Sequence, residues 1–117
     1  MKTISVKTYR KLTALGLKAD TYTLDEILDM LPKSIKFHYF IRRKDKEFAT
    51  YLLNIDYCIY EYKWLCHICL RDDADILIEF AHENPAESAG KLLIWCIKNG
   101  HVKVEDLNNE NNQCWNL

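Results

Sequence analysis

Glycine is scarce in this chain, with three residues among 117. So few leave little material for a backbone cradle around phosphate, and neither a P-loop nor a dinucleotide fingerprint occurs. The G-x-S-x-G turn of serine hydrolases is missing as well. No run of 18 apolar residues exists, so no transmembrane span is expected. The opening MKTISVKTYRK lacks the apolar core of a signal peptide, which makes the cytoplasm the expected location. The five cysteines, Cys58, Cys66, Cys69, Cys96 and Cys114, are an odd number with no disulfide spacing. In a reducing compartment they are expected as free thiols, several buried as small apolar groups.

What is present suits one globular domain. An apolar share of 49% and a charged share of 28% are ordinary, and the length supports a single core. The net charge of −1 conceals a split. Residues 1–46 carry 11 Lys and Arg against 5 Asp and Glu; residues 47–117 carry 5 against 12. The simpler reading is attraction between the two parts, within the fold or across a homodimer. The other is a basic nucleic-acid surface made by Lys7, Arg10, Lys11, Arg42 and Arg43. These cations are scattered, with only Arg42-Arg43-Lys44 contiguous, so nucleic acid is not the expected partner.

The best-specified element runs from Asn84 to Gly100. Asn84 is an N-cap, Pro85 fits the first helical position, and Glu87 is placed to close a capping box. Gly100 ends the helix, with Lys98 in the last turn. At 100° per residue, Ala86, Ala89, Gly90, Leu92, Leu93, Cys96 and Ile97 form one apolar face with Ile94 at its edge. Glu87, Ser88, Lys91, Lys98 and Asn99 fill the opposite side. Trp95 falls among those polar residues, where it either packs under a neighbouring segment or stands out as an anchor for a partner.

Ser5 caps an expected first helix through Leu15, with Val6, Tyr9 and Leu12 on its inner side. Thr23 and Glu26 form a capping box for a second, ended by Pro32, with Leu24, Ile27, Leu28, Met30 and Leu31 facing inward. As a helix-turn-helix the pair would offer Asp25, Glu26 and Asp29 to phosphate, which argues against DNA reading.

From Ser34 the period switches to two. Strands are predicted over 35–41, 48–55, from Cys58 onward, and over Ile76–His82, with turns at Lys44-Asp45-Lys46 and 71–75. Cys58, Tyr60, Tyr62 and Trp64 would share one strand face, an aromatic row that could stack bases or simply reflect strand propensity. The order α-α-β-β-β-β-α predicts an α+β fold, a four-stranded antiparallel sheet with helices packed on one face. Reading 58–70 or 72–82 as helix is the main alternative. Residues 1–107 form the expected domain, and 108–117 a polar tail that frays, apart from Cys114 and Trp115.

One sharp local motif remains, Cys66-His67-Ile68-Cys69. C-x-x-C spacing supplies half of a tetrahedral zinc site, but no second pair stands at a standard spacing. A redox role would need a helix start after it, and the surroundings, KWLCHICL, are apolar. Ordinary core or strand cysteines are the simpler reading. No nucleophile, base and orienting group are brought together locally, so no catalytic residue and no cofactor are expected.

TYTLDEILDMLPKSI and NPAESAGKLLIWCIKNGHV together resemble a family of short uncharacterised proteins of gut bacteria and their phages. That resemblance implies an accessory protein of bacterial or prophage origin and transfers no catalytic residue. The expectation is a non-enzymatic binding protein with an unknown protein partner or a second copy of itself, contacted through Trp95, Ile94 and Trp115.

Overall fold

A computed structural model of the chain describes residues 2–18, 22–40, 46–70 and 76–108. Arg42, Arg43, most of the first predicted turn, the 71–75 loop and the tail from residue 109, with Cys114 and Trp115, lie outside the described residues. The named elements among the described residues are α1 (Val6–Ala14), α2 (Leu24–Met30), the antiparallel strands β1 (Ser34–Phe40), β2 (Lys46–Cys58), β3 (Lys63–Leu70) and β4 (Ile76–His82), and α3 (Pro85–Lys98). The α+β class and the antiparallel pairing are those the sequence predicts.

Local chemistry sets the helix ends. The Asn84 side chain accepts from the Ala86 N–H at 3.0 Å, and Pro85 occupies the first turn. Gly100 adopts φ +77°, which lets the His101 N–H close on the Cys96 carbonyl at 2.9 Å. The Thr23–Glu26 capping box of α2 is complete, and Ser5 accepts from the Thr8 N–H to start α1.

The strands lie in the order β1-β2-β3-β4. Trp64 stands opposite both Tyr57 of β2 and His82 of β4; two residues on, Cys66 stands opposite Ile55 and Phe80. One register irregularity falls between Ile68 and Cys69 on the β4 side.

The helices do not form a single layer against the sheet. Only α3 packs extensively on the sheet, over β3 and β4; α1 and α2 pack chiefly on α3. So α3 is enclosed on two sides, and nine of its 14 residues are buried. On the sheet side the Ser88 hydroxyl donates to the Trp64 carbonyl at 2.9 Å. On the other side Gly90 meets α1: a Cβ there would lie 3.0 Å from Thr8 Cγ2 and 3.1 Å from Ile4 Cγ2. The missing side chain is what permits that approach.

Glu87 and Ser88, expected on a solvated side, are therefore in the core. Glu87 does not turn back to its own helix. Its Oε1 accepts from the Ser5 N–H and its Oε2 from the Thr8 hydroxyl at 2.8 Å. This partnership rotates α1 from its expected orientation, with Thr8 buried alongside Leu12 and Val6 turned out. Leu12, Leu17, Ile27, Ile68, Leu92 and Leu93 form the centre of the core. Each such side chain contributes about 1.5–3 kcal/mol on burial.

Residues after α3 return to the end of the first helix. A helical turn over 104–108 buries Leu107, and the Asn108 side chain bonds the Lys18 N–H and the Gly16 carbonyl, each at 3.1 Å.

Candidate binding groove and hairpin tip

Because Gly90 and Glu87 hold α1 tightly to α3, the space beside α3 is bounded by α1 on one side and the edge strand β4 on the other. Two clefts lie there. The first, about 480 Å³, is lined by Lys7, Thr8 and Lys11 of α1, His82 of β4, and Glu87, Lys91 and Ile94 of α3. The second, about 290 Å³, is lined by Lys11, Phe80, Lys91, Ile94, Trp95 and Lys98. Lys11, Lys91 and Ile94 border both, so the two form one groove along α3.

The groove combines a basic rim with an apolar base. Lys7 and Lys11 stand one turn apart on α1; Lys91 and Lys98 stand two turns apart on α3. Phe80, Ile94 and Trp95 supply the apolar surface. Trp95 is half-buried and stacks on His101, with ring centroids 5.1 Å apart and planes at 29°. One part of the indole thus packs against the fold while another borders the groove. Ile94, expected at the edge of an apolar face, is buried.

At the α1 end, burial alone would raise the Glu87 carboxyl. The Ser5 amide, the Thr8 and Ser5 hydroxyls and the nearby His82 outweigh it and hold the group below its ordinary value. Glu87 is therefore a fixed negative charge, whose oxygens are already engaged by α1.

Of the residues predicted for a basic surface, Lys7 and Lys11 border this groove and Arg10 does not. Lys91 and Lys98 were not among the predicted set, although Lys91, Trp95 and Lys98 follow i, i+4, i+7 on the face read as solvated. That spacing was the available signal.

The aromatic row is not a strand face. Residues 59–62 form the turn of the β2–β3 hairpin, so Tyr60 and Tyr62 leave the sheet. They project at its tip with Ile59, at 88%, 73% and 64% exposure respectively, and Tyr62 has φ +56°. Below them Tyr57 meets Trp64 edge-on at 5.1 Å. This tip is the largest run of exposed apolar side chains among the described residues.

Cys66 and Cys69 do not converge. They are three residues apart on one strand, so their side chains leave opposite faces of the sheet. Cys66 points into the core beside Cys96, and Cys69 accepts from the Asn54 amide at 2.8 Å. Burial, with Cys96 adjacent, pushes the Cys66 thiol up to about 12; burial pushes Cys96 to about 12. Two thiols on opposite faces are not placed as a pair to hold one ion or form one disulfide, the alternatives weighed against ordinary strand cysteines. His67, between them, has Asp56 3.6 Å from Nε2 and Glu79 3.6 Å from Nδ1. Among the described residues no group of three His, Cys, Asp or Glu is placed to hold a metal ion. None of the described helices is long and apolar enough to cross a membrane.

No protein-family model, curated protein or solved structure matches the chain.

Proposed function

We propose that the protein acts by binding, without catalysis, and that its groove takes up an acidic protein segment carrying large apolar side chains. The observation that carries this reading is the set of four lysines around Phe80, Ile94 and Trp95. Lysines supply attraction and orientation at modest net gain per exposed pair. The apolar base supplies burial, and a half-buried tryptophan is the residue type in which binding energy concentrates. The resemblance to short bacterial and phage proteins adds the setting of a cytoplasmic accessory factor.

A synthetic peptide alternating Glu with Phe and Leu tests the reading by calorimetry. The peptide should bind, the Lys11→Glu/Lys91→Glu variant should lose at least tenfold in affinity, and Trp95→Ala should weaken binding while the circular dichroism spectrum is kept. Equal affinity for wild type and the lysine variant would overturn the assignment of the groove.

A second reading keeps the same lysines and substitutes single-stranded nucleic acid, with Trp95 as a stacking surface. The apolar base of Phe80, Ile94 and Trp95 favours a segment with large apolar side chains over a polyanion. Oligonucleotide binding that falls steeply with salt, with a slope near −0.7 per phosphate neutralised, would favour it over a protein segment.

A further inference from the structure

The hairpin tip and the groove have complementary surfaces on the same chain. The turn residues Ile59-Tyr60-Glu61-Tyr62 carry one negative charge, no positive one, and three exposed apolar side chains. The groove carries four lysines around an apolar base. Within one protomer the β2–β3 ladder holds the tip out, and Ile59, Tyr60 and Tyr62 stay exposed and line neither cleft.

We propose that the occupant of the groove is the β2–β3 hairpin tip of a second copy of this chain, giving head-to-tail association. The inference rests on the reading of the groove as a site for an acidic, apolar segment. Glu61 of the incoming tip faces the lysine rim, and Tyr60 and Tyr62 lie against Phe80 and Trp95. Lysine ammonium groups over tyrosine rings add a cation–π attraction.

The backbone at Tyr62 supports a role for the tip. A non-glycine residue at positive φ is sterically disfavoured, and this tyrosine gains little burial within its own protomer in return. An aromatic ring bears on roughly 150–250 Å² of surface. Two tyrosines and an isoleucine therefore bury on the order of 1,000 Å² over both partners, at the small end of specific interfaces. An interface of this size belongs with weak, transient contacts. Because tip and groove are different surfaces, the contact is heterologous and builds a ring or an open chain.

Sedimentation velocity over about 5–500 µM tests this. The wild-type average coefficient should rise with concentration. A tip variant, Tyr60→Ser/Tyr62→Ser, and a groove variant, Lys11→Glu/Lys91→Glu, should each remain monomeric with wild-type circular dichroism. Mixed in equal amounts, they should form a 1:1 complex and nothing larger, since only one intact tip and one intact groove then remain. A monomeric wild type throughout this range would overturn the inference, as would self-association that survives in either variant. Failure of the mixture to pair would also overturn it, because a contact using one patch on both partners would behave that way. If the acidic peptide binds while the wild type stays monomeric, the groove reading stands and the identity of the occupant falls.

Discussion

Replacing Glu87 is the most informative perturbation of this fold. Its carboxylate receives the Ser5 amide and the Thr8 hydroxyl, tying residues 5–8 to a helix some 80 positions later. A hydrogen bond to a charged group contributes about 1.5–3 kcal/mol, and a buried donor left without a partner costs about 1–3 kcal/mol. Part of this offsets the desolvation of the carboxylate. Glu87→Ala should therefore lose about 2–4 kcal/mol, a substantial share of the 5–15 kcal/mol usual for a domain. Glu87→Gln keeps the shape and one acceptor and should lose about 1–2 kcal/mol.

The pH dependence carries its own sign. The folded-state value of Glu87 lies below the ordinary 4.5, so its contribution is complete above that value and is lost as pH falls through the folded value. Urea unfolding followed by tryptophan fluorescence, from pH 7 down to pH 3, provides the measurement. The stability difference between wild type and Glu87→Gln should be constant from pH 7 to about 5 and shrink below it. A Glu87→Ala loss under about 1 kcal/mol, or a difference unchanged down to pH 3, would refute the role assigned to this carboxylate.

Tyr62→Gly should stabilise the monomer by about 0.5–1 kcal/mol, because relief at φ +56° exceeds the entropy that glycine adds to the unfolded chain; thermal unfolding at low protein concentration measures it. Native alkylation followed by peptide mass mapping should leave Cys66 and Cys96 unmodified, since both thiols are buried and held near 12, while the half-buried Cys69 reacts first of these three. Mild oxidation should produce no Cys66–Cys69 disulfide, and native mass spectrometry should show no zinc held by the pair.

The caps of α3 and α2 were legible because a cap is a local event. Asn84-Pro85 and Thr23-x-x-Glu26 satisfy backbone groups within one turn, whatever the rest of the chain does. The second buried side of α3 was not legible. Glu87 and Ser88 look like solvent residues, and they are buried because the Thr8 hydroxyl donates to Glu87 and the Trp64 carbonyl accepts from Ser88, both partners distant in sequence. Val6 and Thr8 exchanged roles for the same reason. The hairpin turn was missed because residues 58–63 contain no Gly, Pro, Asn or Asp, the usual signals; the chain turns with a tyrosine at positive φ instead. The separation of Cys66 from Cys69 could have been read from the strand period alone. The groove could not, since it exists only where α1, β4 and α3 come together.

The placement of α3 also bears on how the chain emerges during synthesis. Ile4, Thr8 and Ile27 close against Gly90, so the first two helices have no surface to rest on until residues 86–98 have left the ribosome. Until then their apolar sides stay wet, and helices of nine and seven residues are too short to persist alone. A nascent chain truncated before residue 85 should therefore be an early target for chaperones and proteases, with protection arriving abruptly as the last helix is delivered.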